Sequence, residues 1–219
     1  MIELAVKVIL AYLLGSVMGG LVLGRLTGMS DLRSSGSGNA GATNALRTHG
    51  KVFGISVLLI DALKGVAAVM VIPLLPWPLT EAMVMPDYWV ALACGVAVTV
   101  GHIAPVFFGF AGGKGAATLL GVCLVTVTPA VPWALLSFVL VLTLTGYAGL
   151  STLVAALIIL FHVACVSAAG LLSPLGLFAI AMFGLVVWTH RSNIVRMVRG
   201  NESRFERVMI WRRLLGGGH

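Results

Sequence analysis

Apolar residues run along this chain in long blocks, separated by three short polar islands. The first block extends from about Leu4 to Leu26, the second from about Phe53 to Leu75 and the third from about Tyr88 to Phe108. Each is about 20 residues long, enough for a helix to cross the hydrocarbon core of a bilayer. From Ala116 to Trp188 no charged residue occurs. Four spans of about 17 residues fit this stretch if some are short or tilted. Breaks are available at Thr128–Pro132, Gly146–Gly149 and Ala168–Pro174. The pattern predicts an all-α integral membrane protein with seven transmembrane helices in a single polytopic domain, residues 1–219. Short interfacial helices and glycine-rich loops would join the spans.

Composition agrees with this reading. Apolar residues make up 59% of the chain and charged residues 10%, too few to solvate a globular surface. The tail from Thr189 to Arg213 holds seven arginines against two glutamates and accounts for much of the net charge of +7. The loop from about Pro76 to Asp87 holds Glu81 and Asp87 but no Lys or Arg. Cytoplasmic loops carry the excess of basic residues. That rule puts the acidic loop outside, the tail in the cytoplasm and the N-terminus outside. All three islands then share the cytoplasmic face. No basic stripe with interleaved aromatics occurs, so no nucleic-acid partner is expected. Lys7, near the end of its block, is expected to snorkel to the interface. Cys94, Cys123 and Cys165 lie in apolar runs without CxxC spacing and read as buried thiols, and no metal site is expected. Glu3 and the lack of an A-x-A site argue against a cleavable signal peptide.

The first island covers about residues 33–51 and contains RSSGSGNAGATNALR, Arg33 to Arg47. Glycine allows backbone N–H groups to approach an anion, short polar side chains add donors, and arginine grips phosphate bidentately. The second island, GFAGGKGAAT from Gly109 to Thr118, is a glycine-rich turn with one cation, Lys114, that leads into a helix. A helix N-terminus favours phosphate. The GxxxxGK[ST] spacing of a nucleotide-binding loop is absent. The third island, about residues 189–208, places His190, Arg191 and Asn193 where the last span meets the cytoplasm, with further arginines on an expected surface helix through Arg207. Asp61 and Lys64 lie inside the second block, three residues apart and on one helix face. Two readings of that pair stay open: an ion pair that fixes helix packing, or an anion site in which Asp61 holds Lys64. His162, alone in an apolar run, reads as a packing histidine. Together the islands suit a ligand with a phosphate head and an acyl chain.

Four motifs carry a resemblance. They are GSGNAGATNALR (Gly36 to Arg47), DALKG (Asp61 to Gly65), GHIAPVFFGFAGGKGAAT (Gly101 to Thr118) and HRSNIVRMVRGNE (His190 to Glu202). In order and spacing they resemble those of the PlsY family, the bacterial acyl-phosphate:glycerol-3-phosphate acyltransferases. Ala40 and Met197 are mild departures that touch no polar role. The H-x4-D motif of the CoA- or carrier-protein-dependent glycerol-phosphate acyltransferases does not occur.

The resemblance implies a multi-pass enzyme of the bacterial cytoplasmic membrane with its active site at the cytoplasmic face. It would transfer a fatty acyl group from acyl phosphate to the 1-hydroxyl of glycerol 3-phosphate, giving lysophosphatidic acid and phosphate. No cofactor is implied. An upstream enzyme that forms acyl phosphate would be a functional partner. Such chemistry must hold two anions together and stabilise an oxyanion. Ser37, Arg47, Lys114, His190 and Asn193 are assigned to the glycerol phosphate, with Ser37, His190 and Asn193 as the catalytic candidates. The backbone N–H groups of Gly112, Gly113 and Gly115 are assigned to the acyl phosphate. Lys64 is a further candidate cation, and Thr43 and Asn44 are expected to shape the first loop. His190 is the base by residue type. The resemblance favours a substrate phosphate as base, with Ser37 and His190 orienting the groups. The rival reading is a transporter of a phosphorylated solute such as glycerol 3-phosphate.

Overall fold

The computed structural model describes residues 2–76 and 87–209, and every regular element among them is helical. The acidic loop expected outside the membrane falls largely on 77–86, outside the described residues, as do Arg212 and Arg213. The chain divides into two compact units, Met1–Thr126 and Val127–His219.

The first unit holds α1 (Ile2–Ser16), α2 (Gly19–Leu26), α3 (Ala42–Thr48), α4 (Lys51–Met70), α5 (Asp87–Ile103) and α6 (Ala116–Thr126). Its helices touch backbone to backbone at glycines. A Cβ at Gly15 would run into the Val98 carbonyl, and one at Gly101 into that of Tyr12, which binds α1 closely to α5. Likewise a Cβ at Gly65 would strike the Thr118 carbonyl and one at Gly121 the Ala62 carbonyl, pairing α4 with α6. Lipid tails are as apolar as Leu, so such close packing supplies what the hydrophobic effect supplies in water.

The first apolar block is not one helix. It breaks between Ser16 and Gly19, and α1 and α2 meet at 49°. Lys7 also departs from expectation. It is 4% exposed, pairs with Glu3 at 2.7 Å and donates to the Pro73 carbonyl at 2.6 Å, so its charge is satisfied inside the protein.

The second unit holds α7 (Val131–Thr145), α8 (Ala148–Val166), α9 (Pro174–Thr189) and α10 (Arg191–Val198). All three breaks read from the sequence separate helices. Gly146, left-handed at φ 74°, ends α7, and Ser173 caps α9 by accepting from the Gly176 N–H at 2.9 Å. The expected surface helix stops early: α10 ends at Val198, and Gly200 turns the chain at φ 73°. The tail then returns to the α7–α8 turn. There the Phe205 N–H donates to the Gly146 carbonyl at 2.8 Å, and the Arg204 guanidinium lies 4.7 Å from the Tyr147 ring centre. Cys165, expected to be buried, is exposed.

Four described helical segments are long and apolar enough to cross a membrane: Lys51–Met70, Asp87–Phe108, Thr128–Thr145 and Ala148–Val166. The count rises to six if the bent pairs α1–α2 and α9–α10 (53°) are each one span. The remaining apolar segment, α6, has 11 residues. At 1.5 Å per residue it covers only about half of a hydrocarbon core.

Candidate functional site

The first island is a loop held from beneath by one side chain. Asn44, in the first turn of α3, is 1% exposed. Its amide donates to the carbonyls of Leu32 at 2.8 Å and Ser35 at 3.0 Å, and its oxygen accepts from the Ser37 N–H at 2.9 Å. Gly36 and Gly38 take positive φ, 60° and 71°, and a Cβ at Gly36 would strike Asn44 Oδ1. The loop therefore needs glycine at 36 both for its turn and for its contact. Asn44 shapes this loop, whereas Thr43 is exposed. Ser37 is exposed and Arg47, in the last turn of α3, is half-buried.

Arg33 connects this loop to the second island. Its guanidinium pairs with Asp31 at 2.7 Å and donates to the carbonyls of Phe108 at 3.1 Å and Ala111 at 3.3 Å. The hydrogen bonds from Arg33 hold the Asp31 carboxyl below the usual carboxylate range.

The second island folds back on the end of α5. Gly112 N–H donates to the Ile103 carbonyl at 3.3 Å, and Gly113 N–H donates to the His102 carbonyl at 3.0 Å. Those carbonyls are among the last of a helix and have no partner within it. The sequence reading assigned both amides to a phosphate. In the structure they cap α5 instead. The amides of the first turn of α6 have no acceptor within that helix, and half-buried Lys114 stands just before them. Gly115, at φ 80°, makes the turn between the two. Phe110, at φ 59°, is the one non-glycine residue with positive φ among the described residues.

Lys64 is engaged deep in the first unit. It is 6% exposed, pairs with Asp61 at 3.0 Å, and donates to the carbonyls of Gly15 and Val17, both at 2.8 Å. An ammonium has three donors, and these contacts use all three. The Asp61 carboxylate accepts from the Gly19 N–H at 3.2 Å. The pair fills the break in the first apolar block: Lys64 takes carbonyls left at the end of α1, and Asp61 takes an amide at the start of α2. This geometry fits the packing reading of the pair.

The third island lies in the second unit. His190 is 4% exposed and Asn193 is 6% exposed. His190 Nδ1 lies 2.9 Å from the Val186 carbonyl, which can only accept, so the ring proton sits on Nδ1 and a neutral ring has Nε2 as its acceptor. Asn193 donates to Glu202 Oε1 at 2.6 Å, and Arg196 pairs with Oε2 of the same carboxylate at 2.6 Å. Sequence reasoning left Glu202 among the surface charges of the tail. Its legible signals were an acid among arginines and a place at the end of the fourth motif. Sequence reasoning also gave no role to His102, which is 2% exposed and faces Asp61 and Thr118. Among the described residues no group of three or more His, Cys, Asp or Glu could hold a metal.

A protein-family model described as glycerol-3-phosphate acyltransferase matches residues 5–200. The chain is 42% identical to the glycerol-3-phosphate acyltransferase of Geotalea daltonii, covering 92% of this chain and 97% of that one. It is 40% identical to the enzyme of that name from Aquifex aeolicus, covering 90% and 97%. Its structure is similar to the crystal structure of PlsY (YgiH), an integral membrane glycerol 3-phosphate acyltransferase, in the glycerol 3-phosphate form. The TM-score is 0.79 and the identity 36%, over 92% of this chain and 95% of that one. The lysophosphatidic acid form of the same protein matches with a TM-score of 0.78.

Proposed function

This chain belongs to the glycerol-3-phosphate acyltransferase family, and we propose that its acyl donor is acyl phosphate and its product 1-acyl-sn-glycerol 3-phosphate, released with inorganic phosphate. The observation that carries this reading is the bridge from Arg33 to Phe108 and Ala111, which holds two anion-suited loops together within one unit. One loop presents Ser37 and Arg47, and the other presents Lys114 and the start of α6. An acyl phosphate and a glycerol phosphate are both anionic, so two cationic loops side by side suit their joint binding.

Acyl phosphate is an activated donor because phosphate leaves readily. The protein's task is to align the 1-hydroxyl with the carbonyl and to stabilise the oxyanion. Arg47 and Ser37 take the glycerol phosphate. Lys114 joins them there, Gly115 and the first turn of α6 take the acyl phosphate, and Gly112 and Gly113 set the path of that loop. Lys64 acts through the frame, by holding the break between α1 and α2. His190 and Asn193 are assigned to the glycerol phosphate on their motif. A substrate phosphate accepts the hydroxyl proton, and Ser37 and His190 orient the reacting groups. The enzyme lies in the bacterial cytoplasmic membrane with its N-terminus outside, and the polar islands work at the cytoplasmic face, at an early step of phospholipid synthesis. An acyl-phosphate-forming enzyme acts upstream.

A transfer assay tests this. Purified protein receives radiolabelled glycerol 3-phosphate with palmitoyl phosphate or palmitoyl-CoA. Labelled lysophosphatidic acid from palmitoyl phosphate alone is the expected result. Product from palmitoyl-CoA alone would overturn the donor. No product from either, with label accumulating inside proteoliposomes, would favour transport.

A further inference from the structure

His102 belongs to neither polar loop, yet four elements meet at it. It lies near the end of α5, is 2% exposed and is ringed by polar groups. Its Nδ1 is 3.1 Å from the Thr118 hydroxyl on α6 and 3.5 Å from Asp61 Oδ1 on α4. Asp61 in turn joins Lys64 and the Gly19 N–H at the start of α2. On its other side, His102 meets the second island twice. Its carbonyl accepts the Gly113 N–H at 3.0 Å, and its Nε2 lies where a Cβ on Gly113 would have to be. A buried ring held on one edge by a hydroxyl and a carboxylate cannot swing away cheaply. The Gly112–Gly113 backbone is therefore seated on a fixed imidazole.

We infer that His102 is a positioning residue for the acyl-phosphate loop: clamped by Thr118 and Asp61, its ring sets the height at which residues 112–115 cross the end of α5. This rests on the loop assignment made above. The neighbouring glycine separates the two kinds of contact. A Cβ at Gly112 would meet the His102 carbonyl, Pro105 Cδ at 2.6 Å and the Ile103 carbonyl at 2.8 Å, two backbone atoms and a rigid proline ring, whereas the three atoms nearest a Cβ at Gly113 all belong to the His102 ring. Trimming the ring should make room for a methyl group at 113 and not for one at 112.

The test compares Gly113→Ala and Gly112→Ala on two backgrounds, the natural chain and His102→Asn. Asparagine keeps a polar atom near the place of Nδ1 and removes the Nε2 edge. For each variant, KM for palmitoyl phosphate, KM for glycerol 3-phosphate, kcat and the thermal midpoint in detergent are measured. In the natural chain, each glycine-to-alanine change is expected to raise KM for palmitoyl phosphate about tenfold, the size of coupling usual for residues in contact. On the His102→Asn background, the rise caused by Gly113→Ala should fall to about threefold or less while that caused by Gly112→Ala persists, since only the former is a clash with the His102 ring. KM for glycerol 3-phosphate should move little throughout. Equal penalties for Gly113→Ala on both backgrounds, with midpoints unchanged, would overturn the positioning role alone. An unchanged palmitoyl phosphate KM in Gly113→Ala itself would overturn the loop assignment and this inference with it. Should His102→Asn fail to fold, Thr118→Ala replaces it. A ring freed from the hydroxyl can yield, so partial relief of the Gly113→Ala penalty is again expected and none would count against the inference.

Discussion

The Ser37 N–H donates to Asn44 Oδ1 at 2.9 Å, while the Ser37 side chain itself is exposed. The backbone of the catalytic candidate is thus fixed by a buried amide seven residues on. The same amide holds the carbonyls of Leu32 and Ser35. Asn44→Ala would strand these groups together. A loss of about 2–4 kcal/mol is expected, since each unmade buried hydrogen bond costs more than a made one contributes. Asn44→Asp should do no better, because a carboxylate can accept from Ser37 but cannot donate to two carbonyls. Thermal unfolding in detergent checks both variants. A mild Asn44→Asp would show that the donor side of the amide is unimportant.

The helix break makes a second case. Lys64→Met should cost about 3–5 kcal/mol, because it leaves Asp61 charged and unpaired in the interior. Adding Asp61→Asn should recover a good part of this, since a neutral pair carries no stranded charge. A substrate ligand would behave differently: the double variant would regain stability yet keep a raised KM for glycerol 3-phosphate. We expect that KM to return with stability.

Arg47→Ala should raise KM for glycerol 3-phosphate about 10- to 100-fold, the loss of a charge-assisted pair with phosphate at about 1.5–3 kcal/mol. KM for palmitoyl phosphate should change much less. Steady-state kinetics with each substrate varied in turn will show which loop holds which phosphate. Equal rises in both constants would remove the division of labour between the loops.

Asp31 offers a pH test outside the membrane. Arg33 lowers its folded pKa, so the pair's contribution is fully present above the ordinary carboxylate pKa and is lost as pH falls through the lowered folded value. The side chain of Asp31 is 44% exposed, so screening limits the effect to below about 1 kcal/mol. Asp31→Asn should therefore lower the thermal midpoint slightly at neutral pH, less in high salt, and not at all in strong acid. A difference that grows as pH falls would contradict the assigned sign.

Much of this protein was legible in order of residues alone. Long apolar blocks dictated helices because the backbone in lipid must satisfy itself, and the proline and glycine breaks in the charge-free stretch all proved to separate helices. The three islands stood out because polar residues are costly in such a chain. The motif resemblance identified the family, and the family model that matches residues 5–200 bears this out.

What the order of residues could not express was partnership across distance. Hydropathy averages over a window, so it read through the break between Ser16 and Gly19, which is stabilised by Asp61 and Lys64 from another helix. Glycine content marked the second island, but only the fold decided that the Gly112 and Gly113 amides cap α5 rather than point outward. Local composition determines where a chain can be helical and where it must be polar. Which donor meets which acceptor depends on elements dozens of residues apart, and that was settled by how closely the glycine faces of the helices let them approach.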